Sequence, residues 1–228
     1  MLGVYPTGMP GPGTEKVMSE QEVSIGRVER RRMRNLEALI AAGQAVMAEK
    51  GIDAATMHEI AERADIGAGT VYSFFRSKDD LAMAVLERLM TDLAKRIERV
   101  TESFEDPGQV YAFGVRTVIL TATGDRRWRQ LLLRSEVLAD AMYRQMGPFA
   151  MRDLEKASQA GRFRVHDVQV TFRMACHAMV GLARAITTDG LADDAVDEGV
   201  IAILCMTGIG RDDATELAHR FCPPLPEA

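Results

Sequence analysis

The amino-acid sequence predicts an all-α protein in which a small three-helix head precedes a larger helical body. Apolar residues recur at helical spacing through most of the chain, and glycine or proline interrupts them between the predicted helices. Residues 51–81 carry the caps and the tight turn expected of two short helices followed by the start of another. No stretch alternates apolar and polar residues for long enough to form a sheet.

The first helix is predicted from about Glu29 to Lys50. Leu39 and Val46 lie on one helical face, and Gly51 follows as a C-terminal stop. This helix is long enough to provide a surface on which two shorter helices can pack.

The second helix is predicted to begin at Met57. Thr56 and Glu59 have the spacing of a capping box, in which the threonine side chain accepts the Glu59 amide while the carboxylate reaches back. Ile60 and Ala61, with Ala64, then give this helix its apolar face.

The third helix is predicted from about Ala68 to Phe75. Asp65 and Gly67 break the preceding helix, and glycine tolerates the backbone of a sharp turn. Two short helices joined by such a turn are what a helix-turn-helix module requires, because the second must project from the surface to enter a major groove of DNA. Phe75 is expected to face the core.

A fourth helix is predicted from Lys78 to about Ser103, with Ser77 as its N-cap. It is long enough to leave the head and enter the body without a flexible linker. Further helices are predicted at residues 108–122, 125–146, 148–160, 167–188, 193–207 and 212–221. The predicted domains are a disordered tail at 1–25, a head at 26–78, a body at 79–222 and a C-terminal tail at 223–228.

The net charge of −5 does not by itself indicate a nucleic-acid binder, but the charge is unevenly distributed. Residues 26–88 hold ten Lys or Arg and ten Asp or Glu, so the rest of the chain carries the deficit. Within this neutral segment five arginines surround the single Glu29: Arg27, Arg30, Arg31, Arg32 and Arg34. A solvated helix start explains such a cluster, but beside a helix-turn-helix pattern phosphate contact is the better interpretation.

Other functional classes receive little support. Cys176, Cys205 and Cys222 are odd in number and far apart, which predicts reduced thiols in a cytoplasmic protein. Neither they nor the four histidines have metal-ligand spacing, so we expect no metal and no other cofactor. No apolar run reaches the roughly 18 residues of a membrane span, and the first 25 residues lack the apolar centre of a secretory signal.

The head resembles the N-terminal domain of the tetracycline-repressor (TetR) family of bacterial transcription regulators. The resemblance extends from about Arg30 to Leu86, and beyond it only the length and the helical pattern are similar. The residues that carry it are Thr56, Ile60, Ala61, Ala64, Ile66, Gly69-Thr70-Val71-Tyr72, Phe75, Ser77-Lys78 and Leu81. It implies a sequence-specific transcriptional regulator, most often a repressor that a small apolar ligand releases from its operator.

The resemblance also implies which residues touch double-stranded DNA. Phosphate-contacting positions are matched by Thr56, Thr70, Tyr72 and Lys78, and Arg30, Arg31 and Arg32 can brace the backbone or enter a minor groove. Variable or groove-facing positions are matched by Gly67, Ala68, Gly69, Ser73 and Phe74. The family often has serine where this chain has Gly67, so the cap of the recognition helix is expected to be weak.

Members of the family dimerise, and twofold symmetry then places two recognition helices in successive major grooves of a palindromic operator, about 34 Å apart. The small residues of the 167–188 helix and the apolar residues of the 193–207 helix are expected to form a four-helix interface. The predicted interface residues are Ala178, Gly181, Ala185, Val200, Ile203 and Leu204. Packing within one subunit is the alternative explanation for each of them.

A ligand pocket in the body is implied as well. The chain has 14 methionines, whose unbranched, polarisable side chains suit adaptable apolar cavities. The predicted pocket residues are Met90, Phe113, Trp128, Met142 and Phe149, with Arg173 and His177 as polar anchors. Ordinary core packing is the alternative for these residues.

Two competing functions differ from a ligand-responsive repressor. One is a DNA-binding regulator or activator without a small-molecule effector. The other is an enzyme. Its candidate catalytic residues are the adjacent His166 and Asp167 and the carboxylates Asp125, Glu136 and Asp140. The sequence contains no recognisable nucleophile–base pair, phosphate loop or metal set, so we expect no enzymatic activity.

Overall fold

The computed structural model describes residues 26–124, 135–192 and 194–226, and within these ranges the protein has nine helices and no strands. The helices are α1 (Arg27–Lys50), α2 (Met57–Arg63), α3 (Ala68–Phe74), α4 (Lys78–Thr101), α5 (Pro107–Gly124), α6 (Ser135–Gln159), α7 (Val168–Thr188), α8 (Ala195–Cys205) and α9 (Arg211–Ala218). The all-α prediction is confirmed. No helix in the described ranges is long and apolar enough to cross a membrane.

The head consists of α1, α2 and α3, with α2 packed between the other two. Ile60 of α2 and Val71 of α3 are fully buried, as is Leu39 of α1, and all three belong to the same hydrophobic core. Phe75 is also buried, as predicted. The result is a small core that leaves the outer face of α3 in solvent.

The start of α4 packs closely on α1. A Cβ atom placed on Gly43 would lie 3.3 Å from side-chain atoms of both Leu81 and Val85, so the glycine permits this close approach. Further along, α4 packs against α5 and α6. One continuous helix therefore belongs to the head at its start and to the body at its end.

The body is built around α6 and α7, which pack on each other and on α5. Ile119, Met142, Leu154 and Phe172 are buried at this junction. The short helices α8 and α9 close the far side by packing on α5, and α8 also contacts α7.

The predicted helix break at Gly147-Pro148 is wrong, because α6 continues through both residues. A proline inside a helix costs about 3 kcal/mol, since it removes one hydrogen bond and crowds the preceding turn. Met146 and Leu154 are buried on either side of it, and burying a side chain of that size contributes about 1.5–3 kcal/mol. Tertiary packing therefore outweighs the local signal.

The other predicted helices are present, with ends that differ by a few residues. The cap of α7 was not predicted in detail: the Asp167 carboxylate accepts the amides of Gln169 and Val170 at 2.9 and 3.0 Å. The predicted tail at 1–25, the first part of the predicted 125–146 helix and Trp128 lie outside the described residues.

Candidate nucleic-acid interface and internal cavity

The outer face of α3 is a small exposed surface on a rigid support. Val71 anchors the helix and is fully buried, while the neighbouring Tyr72 is 58% exposed. The exposed residues of this helix and its N-cap are Gly67, Ala68, Gly69, Thr70, Tyr72 and Ser73. Six of the positions predicted to contact DNA therefore lie together in solvent.

The hydroxyls around this face differ in what they already bind. The Thr56 hydroxyl accepts the Glu59 amide at 3.2 Å and donates to the Glu59 carboxylate at 3.1 Å, which confirms the capping box. The Ser73 hydroxyl donates to the carbonyl oxygen of Thr70 at 2.6 Å. The Tyr72 hydroxyl has no hydrogen bond to any described residue, so it is available to an outside acceptor.

Lys50 supports the same cap from α1. It forms an ion pair with Glu59, and the hydrogen bond from its ammonium group, together with those from Thr56, lowers the pKa of that carboxyl. The carboxylate therefore remains an acceptor for the Thr56 amide, which it binds at 3.2 Å.

Two predicted contact residues have partners inside the head. Lys78 donates from Nζ to the carbonyl oxygen of Asp53 at 2.6 Å, which ties the start of α4 to the loop before α2. Phe74 is only partly exposed, and the guanidinium carbon of Arg32 lies 5.8 Å from its ring centroid. Arg30 and Arg31 are exposed on the first turns of α1.

A partly open cavity of about 50 Å³ lies in the body and is lined by residues of α4, α5, α6 and α7. Its lining is largely apolar. The apolar side chains that line it are Ala94, Ile97, Val110, Val115, Val118, Met142, Met146, Phe149, Ala150, Phe172 and Met179. Three methionines from two helices therefore face one space, where they can change rotamer at little cost.

One wall of this cavity is charged. Arg152 of α6 donates to the Glu98 carboxylate of α4 at 2.6 Å and to the Asp153 carboxylate at 2.9 Å. Burial raises the pKa of Asp153, although its hydrogen bond with Arg152 opposes that shift. The hydrogen bond to Glu98 in turn raises the pKa of Arg152. One cation thus serves two carboxylates.

The same charged wall borders a larger surface depression of about 390 Å³. Glu98, Val110, Arg152 and Asp153 line both spaces. The Arg152 ion pairs therefore form a wall common to both spaces.

The predicted ligand residues fall into three groups. Met142 and Phe149 line the cavity. Met90 and Phe113 are buried elsewhere in the core, and Phe113 packs edge-to-face on Phe104 at 5.5 Å. Neither predicted polar anchor lines the cavity: Arg173 pairs with Asp140 and His177 is exposed.

The charged residues that line the cavity, Glu98, Arg152 and Asp153, were not predicted as pocket residues. Glu98 and Arg152 are 54 positions apart, and no short motif joins them. The only local signal was the adjacent charged pair Arg152-Asp153 within a helix that is otherwise rich in buried apolar residues.

The predicted dimer residues are divided between surface and core. Gly181 is exposed on α7, with Ala178 and Ala185 partly exposed on the same side of the helix. The α8 prediction is corrected, because its three residues are at most 3% exposed and pack inside the protomer: Val200, Ile203 and Leu204. Val170 and Met174, which are more than half exposed, extend the apolar outer face of α7 instead.

Two family models match the chain. Residues 39–85 match the bacterial regulatory proteins of the tetR family, and residues 106–220 match a tetracyclin repressor-like C-terminal domain. The first match covers the helix-turn-helix and the start of α4. The second covers the helices that line the cavity, apart from α4.

Named relatives match in sequence and in structure. The HTH-type transcriptional repressor KstR of Mycolicibacterium smegmatis is 30% identical over 125 residues, which span 55% of this chain and 59% of that protein. KstR of Mycobacterium tuberculosis is 28% identical over 125 residues, 55% of each chain. The chain thus spans little more than half of these relatives. The crystal structure of RolR in complex with resorcinol has a TM-score of 0.79 and 27% identity, covering 86% of this chain and 99% of that chain.

Proposed function

The chain belongs to the tetracycline-repressor family of bacterial regulatory proteins, and from this premise we propose that it is a dimeric repressor released from DNA by a small hydroxylated aromatic molecule. The observation that carries the proposal is the position of α4. Leu81 and Val85 pack on the head at Gly43, whereas Ala94 and Ile97 line the cavity. The two functional regions therefore share one helix.

DNA is bound by the outer face of α3 and by the basic first turns of α1. Tyr72 and Thr70 contact phosphates and fix the register, because their exposed hydroxyls can donate to phosphate oxygens. Arg30 and Arg31 add positive charge that neutralises DNA phosphates. The counterions of those phosphates are then released, so binding weakens as the salt concentration rises. Lys78 acts through Asp53 by holding the head on α4.

Two copies are joined through the outer face of α7. Gly181 and its small neighbours allow close approach, and the exposed Val170 and Met174 gain burial on association. A twofold axis through this face would repeat the recognition helix at the second half of a palindromic operator.

The cavity receives the effector. A site that holds benzene in another protein has a volume of about 150 Å³, so a space of about 50 Å³ must grow before an aromatic ring fits. Met142, Met146 and Met179 make that growth possible. The structural likeness to RolR, which was crystallised with resorcinol, favours a ring of this size that carries hydroxyl groups.

Growth of the cavity is coupled to DNA binding through α4. Val85 and Ala94 are nine residues apart, so the cavity begins about 13 Å along the helix from the contact with the head. An effector that prefers a wider cavity shifts the population toward a different α4 position and a different spacing of the two heads. A tenfold loss of operator affinity requires a preference of about 1.4 kcal/mol.

The test measures binding of the purified protein to the DNA upstream of its own gene, by fluorescence anisotropy, with and without resorcinol. We expect a twofold-symmetric complex whose affinity falls at least tenfold when resorcinol is added. If the protein did not bind this DNA at low salt, the regulatory proposal would be overturned.

Cavity-filling variants locate the effect. Gly114 lines the cavity, and a Cβ there meets only Ile97 at 3.9 Å. Gly114→Ala should weaken the response to resorcinol partly, and Gly114→Leu should abolish it while DNA binding persists. If both variants responded to resorcinol as strongly as the wild type, the effector would bind elsewhere.

A regulator without an effector is the second candidate, and the small volume of the cavity favours it. In that case DNA affinity would stay constant over a broad set of small aromatic and apolar ligands. Gly114→Leu would then change stability but not regulation.

A further inference from the structure

Tyr111 is a polar residue in a place where phenylalanine would satisfy the packing. It lies on α5, is 4% exposed and lines the cavity. Its ring packs edge-to-face on Phe163, with the centroids 5.8 Å apart. These contacts fix the ring and use none of its hydrogen-bonding capacity.

The hydroxyl of Tyr111 has no hydrogen-bond partner among the described residues. No hydrogen bond joins it to the thiol of Cys176. Burial raises the pKa of Tyr111, so the phenol stays neutral and can both donate and accept. Leaving such a group unpaired in a protein core costs free energy, and native structures rarely do so without a reason.

The other polar groups of the cavity are already engaged with one another. Arg152 is shared between Glu98 and Asp153, which gives this wall one more carboxylate than cation. A ligand carboxylate would have to compete with Glu98 and Asp153 for Arg152, and the neutral Tyr111 could not supply a second cation. A neutral ligand hydroxyl can pair with either the charged wall or the phenol.

We propose that Tyr111 is the specificity-determining residue of the cavity and selects a neutral effector with a hydroxyl or carbonyl oxygen that pairs with the phenol. This inference rests on the proposed function, because it names the chemistry recognised at the same site. The effector carries one polar atom for Tyr111 and another for the Arg152 wall. Aromatic carboxylates are excluded.

The experiment compares resorcinol with 3-methylphenol, in which one hydroxyl is replaced by a methyl group of similar size, and with benzoate. Dissociation constants are measured by isothermal titration calorimetry for the wild type, Tyr111→Phe and Tyr143→Phe. Tyr143→Phe is the matched control, because it removes the same atom from a half-buried ring that stacks on Phe172 and does not line the cavity.

In the wild type we expect resorcinol to bind at least tenfold more tightly than 3-methylphenol, and benzoate to bind the least. Tyr111→Phe should bring the ratio of the two phenols close to one by weakening resorcinol about tenfold, equivalent to about 1.4 kcal/mol. Tyr143→Phe should preserve the ratio. If the role of Tyr111 were purely structural, Tyr111→Phe would not alter the ratio of the two dissociation constants.

The melting temperature of the free protein gives a second readout. Tyr111→Phe removes an unpaired buried hydroxyl, so it should leave the melting temperature unchanged or raise it. A lower melting temperature, or an unchanged ratio of the two phenols, overturns the role of Tyr111 and leaves the proposed function intact if Gly114→Leu still abolishes binding. Failure of the wild type to bind either phenol overturns both.

Discussion

Tyr72 in the head and Tyr111 in the body carry the same hydroxyl into opposite surroundings. Tyr72 is 58% exposed on a helix whose inner face is fixed by Val71. Tyr111 is 4% exposed and borders a cavity too small for an aromatic ring. We therefore propose that the head presents its polar groups to a large partner outside the protein, and that the body keeps its polar groups for a small partner inside.

The difference shows which region can act as the switch. The exposed face of α3 needs no rearrangement to reach a groove, because its side chains already lie in solvent. The cavity must enlarge to accept a ring, through new rotamers of its methionines together with displacement of the helices around it. We infer that the head is the rigid reader and the body the deformable region, with α4 common to both.

The largest expected effect comes from a body residue far from DNA. Gly181→Arg places a long charged side chain on the outer face of α7, where a Cβ atom has no described neighbour within 4 Å. The protomer should fold normally, but the dimer should dissociate. Loss of the second half-site should weaken operator binding by about 10²- to 10⁴-fold.

Light scattering and anisotropy measure these two results together. Gln159→Arg, at the exposed end of α6, adds the same charge to a helix outside the proposed interface and should leave the mass and the affinity unchanged. A dimeric mass for Gly181→Arg would show that another face joins the protomers. DNA binding by the head would then not depend on the outer face of α7.

A second prediction compares the removal of the hydroxyl from each of the two tyrosines. Tyr72→Phe should weaken DNA binding about tenfold and uniformly across operator sequences, because a phosphate contact carries no base information. It should leave the dissociation constant for resorcinol unchanged. Tyr111→Phe should do the reverse, weakening resorcinol without changing DNA affinity in its absence.

Anisotropy with several operator variants, together with calorimetry, checks this exchange. A Tyr72→Phe protein that favours a different operator sequence would make Tyr72 a base-reading residue. Reduced DNA affinity of free Tyr111→Phe would show that the cavity supports the DNA-binding conformation even without a ligand.

The same contrast determines what could be predicted from the sequence. The head was predictable because its signals are local: Thr56 and Glu59 are three residues apart, and the turn at Gly67 lies between two short apolar patterns. Exposed polar residues on α3 then follow from helical periodicity. Only the partners of Lys78 and Phe74 required the folded structure.

Most helices of the body were predictable, but of the predicted pocket residues only Met142 and Phe149 line the cavity. The cavity is lined by four helices, and residues from distant parts of the chain, such as Glu98 and Arg152, meet there through packing alone. The burial of Val200 and the continuation of α6 through Pro148 also depend on neighbouring helices. No single window of sequence contains that information.

A third prediction concerns the rigidity of the head. Thr56→Ala removes the hydroxyl of the capping box, and loss of such a cap costs about 0.5–2 kcal/mol. For a protein of this size the melting temperature should fall by about 2–4 °C per kcal/mol. Thr56→Ser, which keeps the hydroxyl, is the control for differential scanning calorimetry. Equal melting temperatures for wild type and Thr56→Ala would mean that the Glu59 carboxylate alone secures the start of α2.

The smallest expected effect lies at the N-cap of α3. Gly67 provides no side-chain cap there, and its φ of −58° and ψ of 137° suit other residues equally well. A Cβ atom would meet only the Thr70 hydroxyl, at 4.0 Å, so serine fits and can accept an amide of the first turn. Gly67→Ser should therefore stabilise the head by a few tenths of a kcal/mol, or about 1 °C.

Gly67→Ala is the comparison that assigns this gain to its cause. Alanine also restricts the unfolded chain but supplies no acceptor, so it separates backbone entropy from capping. If serine stabilises more than alanine, the exposed recognition helix has a weak cap that a single hydroxyl repairs. If alanine stabilises as much, the gain comes from the unfolded state, and the N-cap of α3 contributes as little to the rigidity of the head as its missing side chain suggests.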